Sequence, residues 1–276
     1  MLDPRRPFRT RASLRDDLIR SGVRAGDAVM VHAAMGKVGR LLNGPDALIG
    51  ALLDAVGPEG TVLAYTDWDA AYDELLDGHG RVPRGWREHV PPFDPASSRA
   101  ARDNGVLAEF VRTTPGAKRS GNPGASVAAV GAGADWFTAD HPLDYGYGEG
   151  SPFSKLVEAR GKVLMVGAPL DTMTLLHHAE HLARIPSKRV RRHEVPFAAP
   201  DGTCWRMVEE FDTSEPVVPG LPEAYFADVV REFLAHGQGA RGPVGEAPSL
   251  LVEAAPICAS SVEWLERNAG AGRMSA

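Results

Sequence analysis

The chain of 276 residues predicts an α/β protein built on a sheet, and three observations carry that reading. Apolar runs of strand length recur at 28–32, 61–65 and 163–167. Segments with apolar residues at helical spacing stand between them, and glycine or proline punctuates most of the junctions. Strand, helix and strand in alternation argue for a sheet flanked by helices, against an all-helical bundle or a sandwich.

Taken in order, Ser13 is the expected N-cap of a short amphipathic helix carrying Leu14, Leu18 and Ile19, with Gly22 as its stop. A turn at 25–27 leads into the buried strand 28–32. A loop over 33–44 follows, with Gly36, Gly39 and Gly44. Pro45 opens a helix over 46–56, whose stripe is Leu48, Ile49, Leu52 and Leu53, and Gly57-Pro58 closes it. Residues 61–65 form the second strand. From 67 to 95 periodicity disappears and the composition turns acidic, aromatic and rich in glycine and proline. A loop of that length is functional or disordered.

Order resumes with a helix at 106–111, a strand at 126–130, a helix at 154–159 and the strand 163–167. The next helix carries three histidines. After Pro186 come strand-like segments near Val190 and at 205–208, a helix at 225–234, a strand at 250–252 and a helix at 262–267. With no repeat and no linker, one domain over 1–276 is expected, ending in a short flexible tail after 268.

The formal charge of −6, from 36 acidic and 30 basic residues, argues against a nucleic-acid surface, which shows a concentrated basic stripe. It suits a cationic substrate, although modest acidity also serves solubility alone. Cys204 and Cys258 are far apart and outside any C-x-x-C spacing, so no disulfide framework or cysteine zinc site is expected. The arginine-rich start leads into no apolar targeting segment, and no run is long enough to span a membrane. A cytoplasmic protein without membrane contact is expected.

Nucleotide-loop motifs are absent, and Gly124-Ala125-Ser126-Val127-Ala128 lacks the second glycine of a hydrolase elbow. The chemical centre is Thr174-Leu175-Leu176-His177-His178-Ala179-Glu180-His181. On a helix, His177, Glu180 and His181 share one face and His178 points elsewhere. Two chemistries compete for that geometry. His177 can serve as a general base with a carboxylate fixing its tautomer, or His177 and His181 can bind zinc in the H-x-x-E-H spelling of a metallopeptidase. The zinc alternative needs a third ligand, for which Glu194 and Glu209 are available. In the 67–95 loop, Asp67, Asp69, Asp73 and Glu74 with Trp68 and Tyr72 suit a polycationic saccharide, carboxylates for ammonium groups and aromatic faces for sugar rings, and Asp69 and Asp73 are the favoured pair.

Across nearly its whole length the chain resembles the aminoglycoside N(3)-acetyltransferases, which are unrelated to the common acetyltransferase superfamily. The resemblance is carried by Val31-His32-Ala33-Ala34-Met35 with Val38-Gly39, by Pro92-Phe93-Asp94-Pro95, and by Arg119-Ser120-Gly121-Asn122-Pro123 with Ala125-Ser126. It continues through Tyr145-Gly146-Tyr147-Gly148, Ser151-Pro152, Gly167-Ala168-Pro169-Leu170-Asp171, the histidine helix, and Glu210-Phe211-Asp212. It implies a single three-layer α/β/α domain with a central mixed sheet, and transfer of acetyl from acetyl-CoA to the 3-amino group of a 2-deoxystreptamine aminoglycoside antibiotic. It implies coenzyme A and the antibiotic as partners, and resistance as the outcome.

His177 matches the family's catalytic histidine, and Glu210 and Asp212 match its acidic substrate-binding pair. The carboxylate that orients His177 is either Glu180, one helical turn away, or a residue of the 210–212 segment. Glycine-containing backbone at Met35, Gly36, Lys37, Val38 and Gly39 is expected at the coenzyme, with Lys37, Ser120 and Ser151 meeting its phosphates or pantetheine amides. Ser120 and Ser151 also read as turn or cap residues. Three positions depart from the family pattern: Ala34 in place of serine, Glu210 in place of aspartate, and Asn122 in place of a frequent histidine. No metal is required, and a monomer or homodimer is expected.

Overall fold

The computed structural model describes residues 7–68, 71–186, 188–213 and 216–269. Its centre is three parallel strands, β1 (Ala28–Ala33), β2 (Thr61–Tyr65) and, further along the chain, β5 (Lys162–Val166), with β1 in the middle. These are continuous apolar runs because helices cover both faces of a parallel sheet. β4 (Val127–Gly131) adds antiparallel to β2, and β3 (Lys118–Arg119) closes that edge. On the other side β9 (Ala247–Glu253) pairs antiparallel with β5 and β8 (Ala240–Val244) forms the far edge. The result is a mixed seven-stranded sheet, in the order β3-β4-β2-β1-β5-β9-β8.

Strand side chains alternate between two cores. Val29, Val31, Val62, Ala64, Leu164 and Val166 face α1 (Arg11–Ser21), α2 (Pro45–Val56) and α3 (Val106–Thr113). Met30, Leu63, Val163 and Met165 face α4 (Ala134–Thr138), α5 (Pro152–Glu158), α6 (Leu175–Leu182), α7 (Tyr225–Ala235) and α8 (Ala254–Asn268). The expected three-layer α/β/α architecture with a mixed sheet is what the chain adopts. No helix among the described residues is long and apolar enough to cross a membrane.

Several expected boundaries move, for local reasons. The N-cap of α1 is Thr10, and Ser13 is its capping-box partner one turn inside the helix. α8 begins eight residues before the expected 262, because Pro256 lies in its first turn, where the missing N–H would have had no helical partner anyway. β8 carries Gly242 and Pro243 and reads poorly as a strand, yet an edge position tolerates both. The 67–95 loop contains single 3-10 turns at Ala71–Leu75 and Arg84–Trp86 and is folded. Trp68, Tyr72, Val82, Val90 and Phe93 pack in a third core against Val195 and Val208 of a separate hairpin, β6 (Val190–Ala199) with β7 (Gly202–Phe211). Asp69 and the tail from 270 onward lie outside the described residues.

Candidate active site

The sheet sets the location. β2 and β5 flank β1 on opposite sides, so the crevice beyond the carboxyl ends of β1 and β5 is the switch point where α/β sheets bind ligands. The loops leaving those two strands touch: Ala34 donates its N–H to Val166 at 3.0 Å and Lys37 Nζ to the Gly167 carbonyl at 2.8 Å. Gly167 has φ +64, and a Cβ there would stand 3.1 Å from the Lys37 side chain, so glycine is needed for this approach. Met35, Gly36 and Lys37 form a 3-10 turn with Gly36 and Lys37 exposed, whereas Val38 is buried and Gly39 bends at φ +102.

Beyond Gly167 the chain makes a 3-10 turn at Leu170–Thr172 and enters α6. His177 and Glu180 meet across one turn, with Nδ1 2.6 Å from Glu180 Oε2. A carboxylate only accepts, so Nδ1 carries the proton and Nε2 is left with its lone pair. Glu180 is almost fully buried, and its other oxygen accepts from the Tyr225 hydroxyl at the start of α7. The Tyr225 ring stacks on Trp264 of α8 at 6.0 Å, so the donor itself is held in place. His177 stands between Tyr147 and Phe226, at 4.9 and 4.8 Å between ring centres, with 23% of its side chain exposed. It opens on a cavity of about 310 Å³ that Asp171, Glu180, Thr213, Glu223 and Tyr225 also line.

The other two histidines of the cluster are accounted for separately. His178 is buried, its Nδ1 2.7 Å from the Tyr147 carbonyl, and burial lowers its basicity. His181 Nε2 stands 2.9 Å from Glu210 Oε1, a charge contact out of line for a hydrogen bond. The two glutamates that the zinc alternative offers as a third ligand are both engaged elsewhere. Glu194 is tied to Arg87 at 2.5 Å and to the Val82 N–H, and Glu209 to Tyr145 and Arg192. Among the described residues, no group of three His, Cys, Asp or Glu side chains is arranged to hold a metal ion.

A second cavity, of about 260 Å³, adjoins the first through Thr213 and Tyr147. Asp67, Asp73, Glu210 and Asp212 all line it, with Trp68 and Tyr72. The hairpin supplies one side by strand alternation, Arg191, His193 and Val195 from β6 and Val208 and Glu210 from β7. Asp73 is paired with Arg191 at 2.7 Å, and Asp212 stands 3.5 Å from Arg189. The Tyr65 and Tyr147 hydroxyls, in the lining of the cavity, lie 2.7 Å apart and each within hydrogen-bond reach of the Gly124 carbonyl.

Asp67 sits two residues past β2 with φ +48. Burial pushes its carboxyl up to about 7, against the lowering effect of the Trp68 N–H and the Tyr65 hydroxyl. Asn122, the departure from the family pattern, holds the Pro142 and Leu143 carbonyls through its amide and accepts from the Ala125 N–H.

Two residues expected at the coenzyme have their hydroxyls engaged inside the framework. Ser120 has no exposed surface, and its hydroxyl accepts from the Val127 N–H and meets His141 Nδ1 at 2.8 Å. Ser151 is equally buried and caps α5 by accepting from the Ser154 N–H. Both are framework residues, the turn-and-cap reading of their sequence. Asp67, named among the acidic-loop carboxylates but not favoured over Asp69 and Asp73, lines the candidate site. Tyr225, Arg191 and His193 also line these cavities, and sequence reasoning does not single them out, because their places depend on tertiary contacts that no spacing announces.

A family model described as aminoglycoside 3-N-acetyltransferase matches residues 30–266. The chain belongs to the aminoglycoside 3-N-acetyltransferase family. It is 44% identical to aminoglycoside N(3)-acetyltransferase III of Pseudomonas aeruginosa, over 95% of both chains. It is 43% identical to aminoglycoside N(3)-acetyltransferase VIII of Streptomyces fradiae, covering 95% of this chain and 93% of that one. Among solved structures it resembles AAC-IIIb in a binary complex with CoASH, with 69% identity, a TM-score of 0.94 and coverage of 95% and 97%. It also resembles sisomicin-bound AAC-VIa, with 37% identity, a TM-score of 0.89 and coverage of 95% and 99%.

Proposed function

We propose that this protein transfers the acetyl group of acetyl-CoA to the 3-amino group of 2-deoxystreptamine aminoglycosides in the cytoplasm, so conferring resistance to them. One observation carries the reading: a His177–Glu180 pair with its second ring nitrogen free adjoins a cleft lined by four carboxylates. Family membership, the CoASH complex of one relative and the sisomicin complex of another support the same assignment.

In this mechanism the antibiotic enters as a polycation and its ammonium groups meet Asp67, Glu210 and Asp212, while Asp73 lines the same cleft paired with Arg191. The Met35–Gly39 turn holds the coenzyme, presenting the exposed Gly36 and Lys37 with a positive charge suited to phosphate. The 3-ammonium group first gives up one proton to solvent, and His177 Nε2 takes a second from the resulting amine as its nitrogen attacks the thioester carbon. Glu180 holds the Nδ1 proton and stabilises the imidazolium that forms. The tetrahedral intermediate collapses with cleavage of the C–S bond, and the imidazolium returns its proton to the departing thiolate. The amine is itself the nucleophile, so no acyl-enzyme forms.

The test is release of free thiol from acetyl-CoA by the purified protein across gentamicin- and kanamycin-type substrates, with the acetylated nitrogen located by NMR of the product. Silence across the panel, or acetylation elsewhere, removes the proposal.

A further inference from the structure

Arg191 is a cation in a cleft that has to receive cations. It lies on the inner face of the hairpin, opposite Glu210 in the strand register, and its guanidinium reaches the 3-10 turn at Ala71–Leu75 to pair with Asp73 Oδ2 at 2.7 Å. The second oxygen, Asp73 Oδ1, is buried and has no hydrogen-bond partner. The next inward residue of the strand, His193, has its Nδ1 buried and likewise unpartnered, and burial together with the nearby Arg191 charge lowers its basicity. All three side chains line the same cavity.

These groups ask for something other than an ammonium group. An ammonium only donates: it would satisfy Asp73 Oδ1 but would meet the guanidinium charge and offer it no acceptor. A hydroxyl both donates and accepts, so one hydroxyl can donate to Asp73 Oδ1 and accept from Arg191 or from His193 in its donating tautomer. The Arg191–Asp73 pair is close to neutral as a unit, unlike the carboxylates of Asp67, Glu210 and Asp212.

Building on the proposed function, we infer that Arg191, Asp73 and His193 form a hydroxyl-reading subsite, which makes Arg191 a specificity-determining residue favouring aminoglycosides with a hydroxyl over those with an amine at the position it faces. The subsite acts by mismatch, since the wrong substrate leaves a buried charge badly paired.

The experiment compares kcat/KM within matched pairs that differ by one such exchange, kanamycin A against kanamycin B at the 2′ position and paromomycin against neomycin at the 6′ position. The ratio, hydroxyl over amine, is read in wild type, Arg191→Gln, Arg191→Lys and Asp73→Asn. In at least one pair Arg191→Gln lowers the ratio about tenfold, because Asp73 is released to hold an ammonium group. Asp73→Asn raises it, because the guanidinium charge is then uncompensated. Arg191→Lys keeps the charge and stays within about twofold of wild type. Loss of structure would depress both members of a pair together, so opposite movements in the two variants are specific to this subsite. If Arg191→Gln does not fold, the rise in Asp73→Asn decides alone. Turnover with unchanged ratios, or with both variants moving the same way, overturns the inference and leaves the acetyltransferase reading intact. An enzyme that acetylates gentamicin-type substrates but no member of either pair overturns the inference alone, and one that acetylates neither set overturns both.

Discussion

His177 Nδ1 lies 2.6 Å from Glu180 Oε2 across a single turn of α6, so the imidazole and its carboxylate partner belong to one rigid element. A pair three residues apart on a helix needs no loop closure to hold its geometry. The proposed mechanism therefore makes a sharp kinetic demand. His177→Ala should lower kcat by about 10³-fold or more, and Glu180→Gln by about 10²-fold, with KM for both substrates little changed. Steady-state kinetics, with CoA affinity measured separately by calorimetry, checks both; wild-type rates in either variant would remove its residue from the mechanism.

Tyr225 supplies the third link. Its hydroxyl donates to the Glu180 oxygen that faces away from His177, and burial together with that carboxylate pushes the phenol far above its ordinary range. Tyr225→Phe would leave a buried carboxylate oxygen unpaired, costing about 1–3 kcal/mol of stability. It would also leave more of the Glu180 charge to hold the imidazolium, the form that cannot accept a proton. The acid limb of the kcat/KM profile is expected to move to higher pH, a change a merely structural loss would not cause. An unshifted profile in a folded Tyr225→Phe variant would limit Tyr225 to packing.

Glu210 and Asp212 flank the route between the two cavities, since both line the acidic cleft and Thr213, next in sequence, lines both cavities. Glu210→Gln and Asp212→Asn should raise KM for the aminoglycoside about tenfold each and leave KM for acetyl-CoA within about twofold. Raising ionic strength should weaken substrate binding less in the variants than in wild type, because exposed charge attraction is what salt screens. Equal effects on both substrates would show that the carboxylates shape the fold and do not bind the antibiotic.

The parallel centre of the sheet was legible because Ala28–Ala33, Thr61–Tyr65 and Lys162–Val166 are buried on both faces and write that burial as unbroken apolar runs. The dyad was legible for a related reason: helix spacing alone puts His177 beside Glu180. Sequence left open whether Glu180 or the 210–212 segment orients the ring, and only the contact decides it, with Glu210 turned to His181 instead. The hairpin was visible as two strand-like pieces, but its register was not. Register is what puts Arg191 opposite Glu210 and carries its side chain to Asp73. For Ser120 and Ser151 the sequence left the coenzyme and the turn-or-cap readings open, because whether a serine hydroxyl is buried and engaged is a tertiary property.

Asp67 makes the cleft pH-sensitive. Its carboxyl rises from 3.8 to about 7, chiefly through burial, so near neutrality it is divided between acid and carboxylate. For folding, the sign is opposite to that of an ordinary paired acid. Between these two values the folded chain keeps a proton that the unfolded chain has released, so this group's contribution to stability is largest at low pH and is lost as pH rises through about 7. For binding, an ammonium group needs the carboxylate form, so substrate binding must expel the proton below that point. KM for the aminoglycoside should therefore fall as pH rises through about 7, and one proton should be released on binding below it. Asp67→Asn removes the titration: its KM should be raised and flatter between about pH 5 and about pH 8, and its melting temperature should decline less over the same range than that of wild type. Parallel KM and melting profiles in the two proteins would mean that Asp67 stays ionised throughout and does not tune the site.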